Sequence, residues 1–379
     1  MLIPLLLTLA CDTSDSQESH DDSVEETPWA PVTIDPNEWA PELLSETNLM
    51  RWDGEQITYN DGVVPYTLQT PLFSDYALKE RAIWMPPGTA ATWDGDGNVL
   101  DFPVGTVILK TFLFPSDIRS PDEDVRIIET RMLLLGDDGW ASWPYLWRTD
   151  GSEADRHVSG HVEAIDFVDA DGATRTAQYL VPQRNQCADC HDQYDENGEG
   201  TMMPIGPRPR NLNGPSVHID GAPNQLTHLI DAGVLSGAPA DLAAAEQAVR
   251  WEDVAEIGVD NLTSEQVVHA ARDYLDINCA HCHSPKGVEG VTSQFFLNYD
   301  NTDEFNLGIC KRPGSAGEGG ENREFDIIPG DPEQSILWFR TDTEDIGAMM
   351  PDIGRSLTHT PASDLIWRWI EEMEPRDCE

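Results

Sequence analysis

The chain of 379 residues is long enough for two or three domains, and its twelve tryptophans and apolar content suffice for true cores. Against 23 basic residues stand 69 acidic ones, a formal charge of −46. Such a surface excludes nucleic-acid binding, which needs a basic footprint, and is repelled by anionic membranes. It favours basic protein partners through long-range steering, or serves only to keep the surface hydrated in salty surroundings.

Residues 1–11, MLIPLLLTLAC, form an apolar run ending in Leu9-Ala10-Cys11. The run is too short to span a bilayer and reads as a signal peptide. A cysteine directly after the small residue resembles a lipoprotein signal, with Cys11 carrying the lipid. No Lys or Arg precedes the apolar run, a departure from that layout. The expected location is outside the cytoplasm: periplasmic, or anchored to the inner or outer membrane of a Gram-negative bacterium, touching the membrane only through Cys11. Residues 12–47 form an acidic tether and lead-in. The stretch to Thr27 has too few apolar groups to offset its ordering entropy, and Pro31, Pro36 and Pro41 keep the lead-in extended. His20 is read as solvated.

Residues 48–182 carry short apolar runs between turn residues and predict a mostly antiparallel β-domain, a sandwich or barrel. Thr106–Phe112 and Arg126–Leu135 are the longest runs. Ala164–Val168 and Thr176–Val181 flank Asp169-Ala170-Asp171-Gly172, a hairpin signal. Asp94-Gly95-Asp96-Gly97-Asn98 invites a calcium loop, but Val99 and Gly105 stand where glycine and an acid are needed, so it reads as a turn. Trp140, Trp143, Tyr145 and Trp147 read as packing residues. His157 and His161 lie in strand or loop, which does not favour a metal pair.

Residues 183–260 contain Cys187-Ala188-Asp189-Cys190-His191, following a strand. A Cys-x-x-Cys-His run is the attachment signature of a c-type haem. The two thiols add to the porphyrin vinyls and the histidine sits under the iron. Asn224–Gly233 predicts a short helix, and Leu242–Trp251 another. Residues 261–379 repeat the signature as Cys279-Ala280-His281-Cys282-His283, at the end of a helix opened by Thr263 and Gln266 as a capping box. That helix is expected to present Val267, Val268, Ala271, Tyr274 and Leu275. Asp331-Pro332-Glu333-Gln334 predicts a second helix start, and Thr360-Pro361 a third, with Leu365, Ile366, Trp369 and Ile370 on one face.

Two complete runs imply two covalently attached haem c groups, each iron held by a proximal histidine, His191 or His283. Methionine is the common sixth ligand in electron-transfer sites. Met350, on a loop between two helices and stiffened by Pro351, is preferred to Met349 for the second haem. For the first, Met203, beside Met202, is the leading candidate, with His218, His228 or an open iron as alternatives. Arg208, Arg210, Lys311, Arg312 and Arg355 are candidate propionate partners, or else surface charges paired with acids. Cys310 and Cys378 are left over, and the sequence leaves a disulfide between them open.

The C-terminal third resembles class I cytochrome c domains through RDYLDINCAHCH, IIPGDPEQSILWFR and MMPDIGR before a final helix. More of the chain resembles a family of exported di-haem c-type cytochromes of undefined role. The matching stretches are TPLFSDYALKERAIWMPPG, FPVGTVILKTF, IETRMLL, NQCADCH with PIGPRPRNLN, and LGICKRP, across roughly residues 65 to 375. The resemblance implies two haems and electron transfer outside the cytoplasm. It points to Cys187, Cys190, His191, Cys279, Cys282, His283 and Met350, and not to Met203. The expected fold is multidomain α+β: the β-domain, then a mainly helical di-haem portion ending in a cytochrome c-like domain. The expected function is one-electron relay to redox partner proteins, with no catalytic residue assigned. The alternatives are a di-haem peroxidase or oxidase with an open first iron, and a β-domain binding module wired to a relay.

Overall fold

Strands rich in β-branched, aromatic and leucine side chains build the first half of the molecule. The computed structural model describes residues 28–219, 224–287, 294–314 and 317–378. The expected signal, Cys11 and the tether through Thr27 lie outside the described residues. By contacts, Val32–Glu379 forms one unit.

The strands run β1 (Met50–Trp52), β2 (Ile57–Tyr59), β3 (Val63–Pro65), β4 (Leu78–Trp84), β5 (Ala91–Thr92), β6 (Val107–Pro115), β7 (Val125–Gly136), β8 (Gly139–Trp147), β9 (Ala154–Arg156), β10 (His161–Val168), β11 (Thr174–Val181), β12 (Asp192–Tyr194), β13 (Gly200–Met202) and β14 (Leu235–Ser236). The helices are α1 (Ala188–His191), α2 (Pro209–Leu212), α3 (Gln225–Asp231), α4 (Trp251–Ile257), α5 (Ser264–Asn278), α6 (Ile336–Asp342) and α7 (Thr360–Glu371).

Six strands form one antiparallel sheet in the order β3-β4-β6-β7-β8-β9. It is open rather than closed, so the barrel expectation gives way to a sheet with both faces covered. Burial on both faces explains why β6 is apolar along nearly its whole length. One face packs Val107, Leu109, Met132, Leu134, Trp143 and Tyr145 on Leu44 of the lead-in and on Leu49 and Met50 just after it. The other face carries two apolar patches. Ile83, Ile108 and Leu133 meet Leu212, Leu226 and Leu229, while Phe112 and Phe114 meet Ile165, Phe167 and Tyr179 of the β10–β11 hairpin. Arg81, Lys110 and Arg131 lie between those patches, opposite one another on β4, β6 and β7.

The helical part comes next in the chain, so the class is α+β. Val267, Ala271 and Leu275 of α5 pack on Leu365, Ile366, Trp369 and Ile370 of α7, with Leu337 of α6. The Thr263–Gln266 capping box forms as expected. Val268 does not join the core: one step of about 100° past Val267 leaves it 45% exposed. Two helix expectations shift. Leu242–Trp251 forms one 3-10 turn at Leu242–Ala244 and an extended run, and helix begins only at Trp251. Asp331–Gln334 is a turn, its Asp331 carboxylate accepting from the Gln334 amide, and α6 starts after Ser335. Cys310 and Cys378 are joined by a disulfide across 68 residues.

Candidate functional site

The two Cys-x-x-Cys-His runs are reached by different routes. The first leaves β11, passes a 3-10 turn at Arg184–Cys187 and ends in the single turn α1. The Cys187 thiol accepts from the Ser142 hydroxyl of β8 at 3.1 Å, which ties the run to the sheet. The second continues α5: the amides of Cys282 and His283 both donate to the Cys279 carbonyl, at 3.1 and 2.8 Å. Gly287 then passes so close to the Cys282 carbonyl that a Cβ would lie 1.8 Å from it, so any side chain there forces the loop away.

The two histidines are prepared differently. His191 Nδ1 lies 2.7 Å from the Met203 carbonyl, and the Met203 amide donates to the His191 carbonyl. A carbonyl only accepts, so Nδ1 carries the proton and Nε2 keeps its lone pair for a metal. Burial holds His191 neutral, its pKa lowered to about 4. His283 is likewise pushed down to about 4 by burial. Its ring stands edge-on to Phe295 at 5.3 Å between centroids. Its Nδ1 meets no partner with hydrogen-bond geometry, although the Phe295 carbonyl partly offsets the burial.

Cys279, Cys282, His283 and Met350 line one cavity of about 650 Å³, with Phe295, Leu337 and Arg340 in its wall. That volume lies within the usual range of cofactor sites, roughly 300–1,000 Å³. The Met350 amide donates to the Arg340 carbonyl at 2.7 Å and its carbonyl accepts from Arg355 Nε at 3.0 Å, so the backbone on both sides of the thioether is fixed. Met349 is buried instead. Cys187, Cys190 and His191 line a narrower cavity of about 130 Å³, walled by Arg81, Lys110, Arg131 and Ser142 of the sheet. Cys190 and His191 also border an open space of about 780 Å³, together with Met203 and Arg208.

The two motif cavities share Leu180, Gln186, Cys190, His281, Pro351 and Ile353. Cys190 lies within hydrogen-bonding reach of the Cys282 thiol and of His281, so the runs meet directly.

No family model, curated protein or solved structure matches this chain.

Met203 meets His191 through its backbone, which fixes the imidazole tautomer, and it borders the open space beside Cys190 and His191. The alternative histidines do not line the first cavity: His218 pairs with Glu80 at 3.2 Å, and His228 is exposed. His157 and His161 face each other at 6.2 Å, away from the motif cavities. Among the described residues no three His, Cys, Asp or Glu side chains gather as metal ligands. The Asp94–Asn98 stretch is the expected turn, closed by Asn98 on the Asp94 carbonyl.

Most of the basic residues singled out in the sequence have protein partners. Arg208 pairs with Asp276 at 3.0 Å, Arg210 with Asp273 at 2.6 Å and Arg312 with Glu324 at 2.7 Å. Arg355 donates to the Met350, Leu357, Arg340 and Thr343 carbonyls. Lys311 Nζ is buried without a hydrogen-bond partner. Sequence reasoning missed Arg81, Lys110, Arg131 and His281. For Lys110 the available signal was a lone cation inside the apolar β6; Arg81 and Arg131 share their strands with other charged residues. For His281 there was none, because it fills a variable place in its motif.

Proposed function

We propose that this chain is an exported di-haem c-type cytochrome that passes single electrons between two covalently held haems. The supporting observation is the common wall of the two motif cavities, with Cys190 beside Cys282 and His281. Cofactors held by those cysteines would share that wall, a proximity that a relay requires.

The donor set of each run suits a haem: two thiols for thioether bonds and one neutral imidazole. The second cavity suits one in volume as well, and the first requires its walls to open. When bound, haem supplies Fe(III)/Fe(II) cycling. The polypeptide supplies the rest. His191 offers Nε2, backed by the Met203 carbonyl, and His283 offers its imidazole against Phe295. Met350 would hold the second iron through its thioether, a soft donor that favours the ferrous state. The helical portion, with α5 and α7 packed around the second run, then serves as a cytochrome c-like domain. The Cys310–Cys378 disulfide supports an oxidising compartment outside the cytoplasm, and a lipid at Cys11 would tether the protein there. The −46 charge supports redox partners with basic docking surfaces.

Electron paramagnetic resonance during a redox titration of the purified protein tests this reading. Two low-spin irons with mutual magnetic broadening are expected, and a single isolated iron signal contradicts it. The first cavity favours a second reading: its lining holds no methionine, and His281 is its one imidazole besides His191. An open first iron would make the protein a di-haem oxidase or peroxidase. High-spin iron that binds cyanide distinguishes that case.

A further inference from the structure

Arg81, Lys110 and Arg131 form a row across three adjacent strands, Arg81 directly opposite Lys110 and Lys110 directly opposite Arg131. All three line the cavity that holds Cys187, Cys190 and His191. Like charges facing each other across a sheet destabilise it, and buried charges without partners cost more still. The polypeptide compensates only one of them. Arg131 makes a bidentate pair with Glu129, whose side chain is fully buried and also accepts from the Tyr179 hydroxyl. Arg81 gives one Nη1 bond to the Lys79 carbonyl, while its Nη2 is buried with no partner. Lys79, the next cation on β4, donates to the Ala77 carbonyl, and Glu80 acts on Arg81 only at longer range. Lys110 stands 4.8 Å over the Phe112 ring and meets no carboxylate at ion-pair distance among the described residues. In a chain with 69 acids to 23 bases, carboxylates for this row were available on every side. Among the described residues only Glu129 joins the row at ion-pair distance, and Arg131 takes both of its oxygens, which leaves Arg81 and Lys110 for something else.

We propose that the Arg81–Lys110–Arg131 row is an anion site facing the first haem, taking an oxygen-bearing anion: a carboxylate or a small oxyanion. The assignment of its neighbour as a haem rests on the di-haem reading. Two sources fit the chemistry, the propionates of that haem and a free anion brought to its iron. Guanidinium and ammonium donors side by side recognise such oxygens with charge-assisted hydrogen bonds.

The test uses full-length protein whose covalent haem content has first been measured by mass. Sodium nitrite, sulfite and formate are added singly in chloride-free buffer, and the Soret band and the first haem's potential are recorded for wild type and Lys110→Gln. A free-anion site gives a saturable spectral change in wild type, with Kd raised about tenfold or more by Lys110→Gln and far less by Lys110→Arg. A propionate seat gives no response to added anion but a lowered first-haem potential in Lys110→Gln. If neither the anions nor the substitution moves spectrum or potential, the proposal is overturned. Arg81→Gln and Arg81→Lys repeat the comparison should Lys110→Gln not fold. A protein found to lack haem ends the di-haem reading alone. Saturable protection of its melting temperature by one of the anions, lost in Lys110→Gln, would then report the site, and no such protection would sink it.

Discussion

Replacing Asp273 by Ala strands a cation in the junction between the two motif-bearing segments. Arg210 belongs to α2, in the stretch after the first run, and Asp273 to α5, which leads into the second. The side chains are 4% and 1% exposed and meet at 2.6 Å. The other Asp273 oxygen accepts from the Val249 amide at 2.7 Å, and Arg210 lies 3.7 Å over the Tyr299 ring. Breaking a buried pair by removing one partner costs about 3–5 kcal/mol. Glu246 stays 3.5 Å from Arg210 Nε and Asp276 3.8 Å from Nη1, and together they retain part of the compensation, which favours the lower end. The orphaned Val249 amide adds about 1 kcal/mol. The expected loss is therefore about 4 kcal/mol, read as a lower urea midpoint at unchanged slope in circular dichroism. Because much of that loss is the stranded charge, Arg210→Met with Asp273→Leu should recover most of it. A loss under about 1 kcal/mol in Asp273→Ala, or a double variant as unstable as the single, would refute the reasoning.

Met350→Ala is expected to lower the second haem's potential and remove the weak methionine–iron absorption band; an unaltered spectrum excludes Met350 as ligand. Cys378→Ser should cost roughly 2–4 kcal/mol, since the bond closes a loop of 68 residues. A melting temperature indifferent to both this change and reductant would show that the bond does not constrain the chain. His359 is stacked on Phe73 at 4.2 Å, and its pKa is depressed to about 3 by burial, then by Lys79 and Arg355. The folded protein thus keeps it neutral, while the unfolded chain takes up a proton below about pH 6.5. Its contribution to stability is present above that pH and is lost as pH falls toward 3, at no more than about 1.4 kcal/mol per unit. His359→Phe should flatten that part of the acid profile, and identical profiles for the two proteins would contradict the assignment.

Local chemistry was readable from the sequence, and long-range juxtaposition was not. The β10–β11 hairpin follows from two alternating runs around Asp169–Gly172, and the start of α5 from Thr263 and Gln266. Both depend on residues a few positions apart. The failures come from competition at the same scale. Asp331 and Pro332 carry helix-start chemistry, yet Ser335 takes over through its bonds to the Ile328 amide and the Asp331 carbonyl. Met203 was picked for its sulfur, while its backbone is what touches His191. Arg81 and Arg131 are each one of several charges in their strands and Lys110 is alone in β6, and only the sheet register brings the three together. The meeting of the two runs arises through packing alone: Cys282 Sγ lies 3.4 Å from the Asp189 carbonyl, 93 residues away in sequence.

Intact mass of the purified mature protein, before and after acid–acetone extraction, decides whether two porphyrins are bonded to this polypeptide. Thioether links at Cys187, Cys190, Cys279 and Cys282 predict two haem additions that survive extraction. A mass equal to the bare chain, or pigment that passes entirely into the acetone, would contradict them.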